Sequence, residues 1–171
     1  MATGDTPAAK GQGASAEDVE AAYLYNFGKF VRWPESGGHE PLLICIAGQD
    51  SFGQDVARLV TGEQINGHSL EARMLRRGET AQGCSILFVS ATERSRLVEL
   101  LAETEGRPML TVSDAPDFLA RGGIIQFVLV EDHVRFSVNL DAAARHGLVL
   151  SSELLKVAVS VTGRPGQGGS L

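Results

Sequence analysis

LLICIAG, residues 42–48, is apolar from end to end and bounded by Pro41 and Gly48. A run of this length without polar alternation describes a strand covered on both faces, as in parallel sheets. CSILFVS (84–90) repeats the pattern, and PMLTVSD (108–114) supplies a further strand. Between them the spacing predicts a short helix over about 53–61, a turn at Asn66-Gly67 and an edge strand in the looser alternation of SLEARML (69–75). TERSRLVELLAETEG (92–106) reads as a helix stopped by glycine, and APDFLARGG (115–123) as a short helix with a glycine end. Strand, helix, strand, strand, helix, strand, helix is the order of a parallel sheet with helices on both faces.

The pattern then changes. IIQFVLV (124–130) and HVRFSVN (133–139) are separated only by Glu131-Asp132, too few residues for a parallel crossover, so they form a hairpin. Leu140 to His146 and Ser151 to Val161 read as two closing helices. At the other end Ser15 is an N-cap with Asp18 three residues on, and Val19, Tyr23, Phe27 and Phe30 or Val31 recur at helical spacing. Pro34 disfavours helical geometry before it, which ends this helix near Arg32 or Trp33. The expected architecture is an α/β three-layer sandwich: a mostly parallel sheet, helices on both faces and a C-terminal antiparallel hairpin. Residues 15–162 are expected to form one domain, between a disordered segment (1–14) and a disordered tail (163–171).

Composition excludes several functions. Of 171 residues, 43% are apolar and 21% charged, as in a compact domain with a sizeable core. A net charge of -6 leaves no basic stripe for nucleic acid. The longest apolar runs are far short of the roughly 20 residues that cross a bilayer, so the chain is not itself membrane-spanning. The first eighteen residues are small, polar and glycine-rich, without the roughly 7–15-residue apolar stretch of a leader. By itself that reads as cytoplasmic, unless a start methionine replaces a leader. Cys45 and Cys84 are too few for a metal site and too far apart for a CxxC pair; they read as two buried thiols or one disulfide.

The search for catalytic chemistry finds little. GQDSFGQD (48–55) has phosphate-loop glycine spacing, but Gln54 and Asp55 stand where Lys and Ser or Thr are required. Asp50 and Asp114 follow strands as in a phosphoacceptor site, yet no lysine accompanies them, and Asp114 is more simply an N-cap for the next helix. His39, His68, His133 and His146 read as surface residues, with no partner that would make any of them a base. The start of the last helix, LSSELLKVA, offers backbone N–H groups to an anion or plain capping by Ser151 or Ser152. No cofactor and no metal are expected, and the chain reads as no enzyme.

Taken together, AAYLYNFGKFVRWP (21–34), LLICIAGQDSFG (42–53), CSILFVS, PMLTVSD and the long segment from Gly122 to Ala158 resemble the YfiR-like family, over roughly Ala21 to Val159. The resemblance implies a periplasmic protein, a leader replaced at the amino terminus, and a homodimeric repressor. Its implied partner is the periplasmic region of an inner-membrane diguanylate cyclase or a sensor kinase, and its output low cyclic di-GMP and little biofilm. It also implies a Cys45–Cys84 disulfide, whereas a second cysteine pair of the named member is absent here, as is the carboxylate that many relatives carry at the position of Ser137. A second reading is a small-molecule receptor using the crevice at the carboxyl ends of the strands, around Gly48 to Ser51, with Asp50, Ser90, Ser113 and Asp114. Arg32 and Trp33 stand either as structural cover for the sheet's rim or at the edge of a binding surface near Ser151.

Overall fold

The computed structural model describes residues 15–34, 40–48 and 50–163, apart from the side chain of Asp50. The disorder expected for 1–14 and most of the tail lies outside these residues, as does His39. Helix α1 (Ala16–Phe30) opens with the expected capping box: Ser15 Oγ accepts from Asp18 N, and Asp18 Oδ2 accepts from Ser15 N, each at 3.1 Å. It stops at Phe30, earlier than Pro34 alone requires, because Val31–Arg32 (β1) pair antiparallel with Val149–Leu150 (β9).

The main sheet has eight strands in the order β10-β8-β7-β6-β5-β2-β4-β3. Its strands are β2 (Leu42–Ala47), β3 (Gln64–Ile65), β4 (His68–Leu75), β5 (Ile86–Val89), β6 (Leu110–Ser113), β7 (Ile125–Val130), β8 (His133–Asn139) and β10 (Ser160–Thr162). From β4 through β2, β5 and β6 to β7 all neighbours are parallel, and β8 returns antiparallel to β7 as expected. Both hairpin turns are of the kind that matches strand twist: Asn66-Gly67 and Glu131-Asp132 all take positive φ.

Helix α2 (Asp50–Val60) fulfils the expected strand-to-helix order. The helix expected over 92–106 is divided, however, into a 3-10 segment (Ala91–Arg96) and α3 (Leu97–Thr104), since Glu93 leaves helical geometry at φ -109°, ψ 28°. Only one 3-10 turn, Leu119–Arg121, forms in 115–123, closed by Gly122 at φ 102°. After α4 (Leu140–Arg145), the last helix α5 (Ser152–Val157) is shorter than expected. The chain then straightens, and β10 joins the sheet beside β8, a strand that helical periodicity conceals.

Strand alternation divides the core into two layers. Ile44, Ile46, Ile86 and Phe88 point toward α1, α2, α4 and α5, where Leu24, Phe27, Phe52, Val56 and Leu154 pack. Cys45, Ala47, Leu87 and Val89 face the other way, onto Leu97 and Leu100 of α3. The architecture is therefore a three-layer α/β sandwich. Phe27 sits at the centre of the first layer, fully buried, with ring centroids 5.1 Å from Phe136, 5.8 Å from Tyr23 and 6.0 Å from Phe127. Val31, not the exposed Phe30, completes the buried face of α1.

Candidate functional site

The strand order reverses at β2, which is flanked by β4 and β5, so the loops after these three strands open a crevice at their carboxyl ends. Gly48 takes φ +99°, and a Cβ there would meet Glu93 Cγ at 2.8 Å and Ser90 Cβ at 2.9 Å. Only glycine lets the two loops approach this closely. Ser90 is buried, with Oγ accepting from Thr92 N; Ser113 is buried too, its hydroxyl donating to Val89 O at 2.6 Å and accepting from Ala115 N at 2.9 Å. These two serines knit adjacent strand ends and face no open space. Asp114 does not cap the following turn: its Oδ1 accepts from Ala91 N at 2.7 Å, which joins the loop after β6 to the loop after β5. Ser51 is exposed on the first turn of α2, and the Asp50 side chain lies outside the described residues.

Two cavities lie along this rim. The first, about 300 Å³, is lined by Gly48, Arg76, Arg77, Glu93 and Arg96 together with Met74 and Leu75. Three guanidinium groups against one carboxylate make it cationic. Arg96 is largely covered, its Nη1 3.7 Å from Glu93 Oε1 and its Nη2 donating to Arg76 O at 3.4 Å. The second, about 460 Å³, lies between α1, the loop after β6 and β7; it holds Glu20 and Asp114 against walls that include Pro116, Phe127 and Leu129. Burial pushes the Glu20 carboxyl up to about 8, with the charges of Asp114 and Glu17 adding to the shift. Neither Glu20 nor the arginines stand out as a motif in the sequence. The available signals were a carboxylate on the apolar stripe, four residues before Leu24, and an Arg-Arg pair directly after a strand.

The other expected positions lie apart from the rim. Arg32 is exposed on β1 beside Val149, and Trp33 is half-buried against the first core layer, its Nε1 donating to Gly28 O at 3.4 Å. Both are next to the start of α5, since Ser151 N donates to Phe30 O; Ser151 Oγ itself accepts from Leu154 N, which is plain capping. Ser137 is half-buried on β8 and accepts a hydrogen bond from Ser160 Oγ of β10 at 2.9 Å. His146 is not a surface residue as expected: it is buried, and its Nδ1–H donates to Arg107 O at 2.9 Å, tying α4 to the loop before β6. Among the described residues no group of three or more His, Cys, Asp or Glu stands close enough to hold a metal ion. None of their helices is long and apolar enough to cross a membrane.

The cysteines decide one alternative. Cys45 in β2 and Cys84 just before β5 form a disulfide, with Cα atoms 5.9 Å apart and a sequence separation of 39. Compared with known families, residues 17–159 match the sequence pattern described as YfiR/HmsC-like, from the first turn of α1 to just beyond α5. The chain belongs to the YfiR/HmsC-like family. Proteins of the YfiR/HmsC-like family are regulatory and periplasmic, and the Cys45–Cys84 bridge fits an oxidising compartment. The match takes in the first rim cavity, all of the second but Ala16, and the β1–β9 pair, and leaves out β10.

Proposed function

We propose that this protein is a non-enzymatic periplasmic regulator that acts as a homodimer. It restrains a membrane-bound diguanylate cyclase, or a related sensor kinase, by direct contact with its periplasmic region, and so lowers cyclic di-GMP and biofilm formation. The observation that carries this reading is the family match over 17–159, and the disulfide supports it. Such a role needs no general base or nucleophile, only a surface that binds one state of the partner better than another. The surface around Arg32 and Trp33, next to the start of α5, and the Ser137–Ser160 edge are the places proposed for partner contact. Co-purification of the chain with the periplasmic region of a cyclase, together with a rise in cyclic di-GMP on deletion, is the expected result. Deletion without any change in cyclic di-GMP, and no bound cyclase or sensor region, overturns it.

A second reading is favoured by the cationic cavity at Gly48: a sensor domain whose ligand is a small anion-bearing molecule held by Arg76, Arg77 and Arg96. Ser90 and Ser113 have no part in it, because their hydroxyls are committed, that of Ser90 to Thr92 and that of Ser113 to Val89 O and Ala115 N. An anionic ligand at a hundred times its dissociation constant raises stability by about 2.7 kcal/mol. A thermal midpoint that responds to no anionic metabolite, or that rises equally in Arg77→Ala, overturns this reading.

A further inference from the structure

Glu20 breaks the pattern of the helix that carries it. The apolar face of α1 runs through Leu24, Phe27 and Val31, all buried, and Glu20 occupies the same face one turn earlier at 9% exposure. It lines the 460 Å³ cavity, and no described residue donates a hydrogen bond to its carboxyl. Gln126, the polar neighbour able to donate, is committed elsewhere: its Nε2 donates to Pro116 O at 2.9 Å while its Oε1 accepts from Leu119 N at 3.1 Å. Asp114 brings a second carboxylate to the same space and spends one oxygen on Ala91 N. A largely buried carboxyl that opens onto a cavity without a protein donor favours an occupant that supplies the donor and the opposite charge.

We propose that this cavity binds a small molecule carrying a primary ammonium on an apolar body, with the ammonium between Glu20 and Asp114 and the body against Pro116, Phe127 and Leu129.

The lining selects this class of ligand. A hard divalent cation takes about six to eight oxygen ligands, and two carboxylates on largely apolar walls do not provide them. An anion is repelled by both acids, and a neutral apolar molecule leaves them unpaired. An ammonium offers three donors in a compact charge, and the aromatic and aliphatic walls accept carbon. The volume lies within the roughly 300–1,000 Å³ of ordinary ligand sites. Binding also moves a proton. Burial holds the proton of Glu20 on above neutral pH, and the charged groups acting on it, Asp114 beyond β6 and Glu17 a turn earlier on α1, are both acids and add to the effect. An ammonium reverses that balance: Glu20 ionises and releases its proton to solvent, while the ligand keeps its own.

The test uses the full chain and phenethylammonium chloride, followed by titration calorimetry at pH 7 in two buffers of different ionisation enthalpy. One saturable site is expected, with release approaching one proton per ligand, and with 2-phenylethanol, 3-phenylpropanoate and calcium each at least about 10-fold weaker. Glu20→Gln should weaken binding at least about 10-fold and abolish the proton release. Leu129→Arg, at an exposed mouth position, should do the same to affinity by placing a cation there, and does so without touching the core. Absence of saturation at millimolar ligand, equal binding of the alcohol, tighter binding of calcium, or unchanged affinity in both variants overturns the proposal. The measurement involves no partner, so it stands or falls separately from the regulatory role.

Discussion

Opening the Cys45–Cys84 bridge acts chiefly on the unfolded chain, and its size follows from the loop that it closes. The bridge joins β2 to the entrance of β5 across a separation of 39 residues that contains α2, β3 and β4. The chain-entropy relation for a loop of that length gives about 13 cal/mol/K, or about 4 kcal/mol at 25 °C. In the folded state the two strands are held independently, because residues 44–47 of β2 pair with 86–89 of β5 and both sulfurs lie in the layer beneath α3. Reduction should therefore leave the near-UV circular dichroism nearly native and lower the urea midpoint by the equivalent of about 4 kcal/mol, or the thermal midpoint by about 8–16 °C. The Cys45→Ala/Cys84→Ala variant should lose about 1 kcal/mol more per sulfur through lost packing. A loss below about 1 kcal/mol on reduction, in a sample whose bridge is shown intact beforehand, refutes the reasoning. So does collapse of the native spectrum, which would mean that the bridge organises the folded state rather than limiting the unfolded one.

Phe27→Ala should cost about 3–5 kcal/mol in urea unfolding, since it empties the centre of a cluster with Tyr23, Phe127 and Phe136. Arg32→Ala should stay within about 0.5 kcal/mol of the parent stability and alter partner binding alone, measured by pull-down. Asp114→Ala should cost about 1–3 kcal/mol by leaving Ala91 N–H without its acceptor, whereas Asp114→Asn, which keeps an oxygen there, should cost clearly less in the same assay. Burial, reinforced by Asp114 and Glu17, pushes the Glu20 carboxyl from its ordinary 4.5 up to about 8, so the folded state keeps a proton that the unfolded state releases. That contribution is fully present below pH 4.5 and is lost as pH rises to 8, a fall of about 3–5 kcal/mol. Glu20→Gln should flatten the stability curve across that window and exceed the parent at pH 8–9; parallel curves would refute the assignment.

What was legible in the sequence depended on whether a signal was local. The strands at 42–47, 86–89 and 110–113 announce themselves because covering both faces leaves no polar alternation, and the 124–139 hairpin because two residues admit one connection. The capping box at Ser15 is equally local. The β1–β9 pair is not: Val31 meets Leu150 across most of the chain, and neither two-residue segment has a pattern of its own. β10 was concealed by a different competition. Ser151 to Val161 keeps helical spacing, but its last residues are exposed, and Ser160-Val161-Thr162 gain backbone partners on β8 that a continued helix would forgo. The same contest between local capping and distant bonding moved Asp114 from its own turn to Ala91.

The regulatory role proposed calls for no strained nucleophile to betray its site, so departures from local rules are the more useful guide. Three of them gather on the carboxyl rim of the sheet: Gly48 in left-handed geometry where two loops touch, an arginine pair directly after β4, and a carboxylate on the apolar stripe of α1. By contrast Trp33, Ser151 and His146 each satisfy a plain structural demand, a covered ring with its N–H bonded, a capped helix and a bonded buried imidazole. The rim also joins its two halves through one contact. Asp114 lines the acidic cavity while holding Ala91, whose loop carries Glu93 and Arg96 into the basic one. A cation beside Asp114 would thus act on the acceptor of the hydrogen bond that holds the segment bearing Glu93 and Arg96.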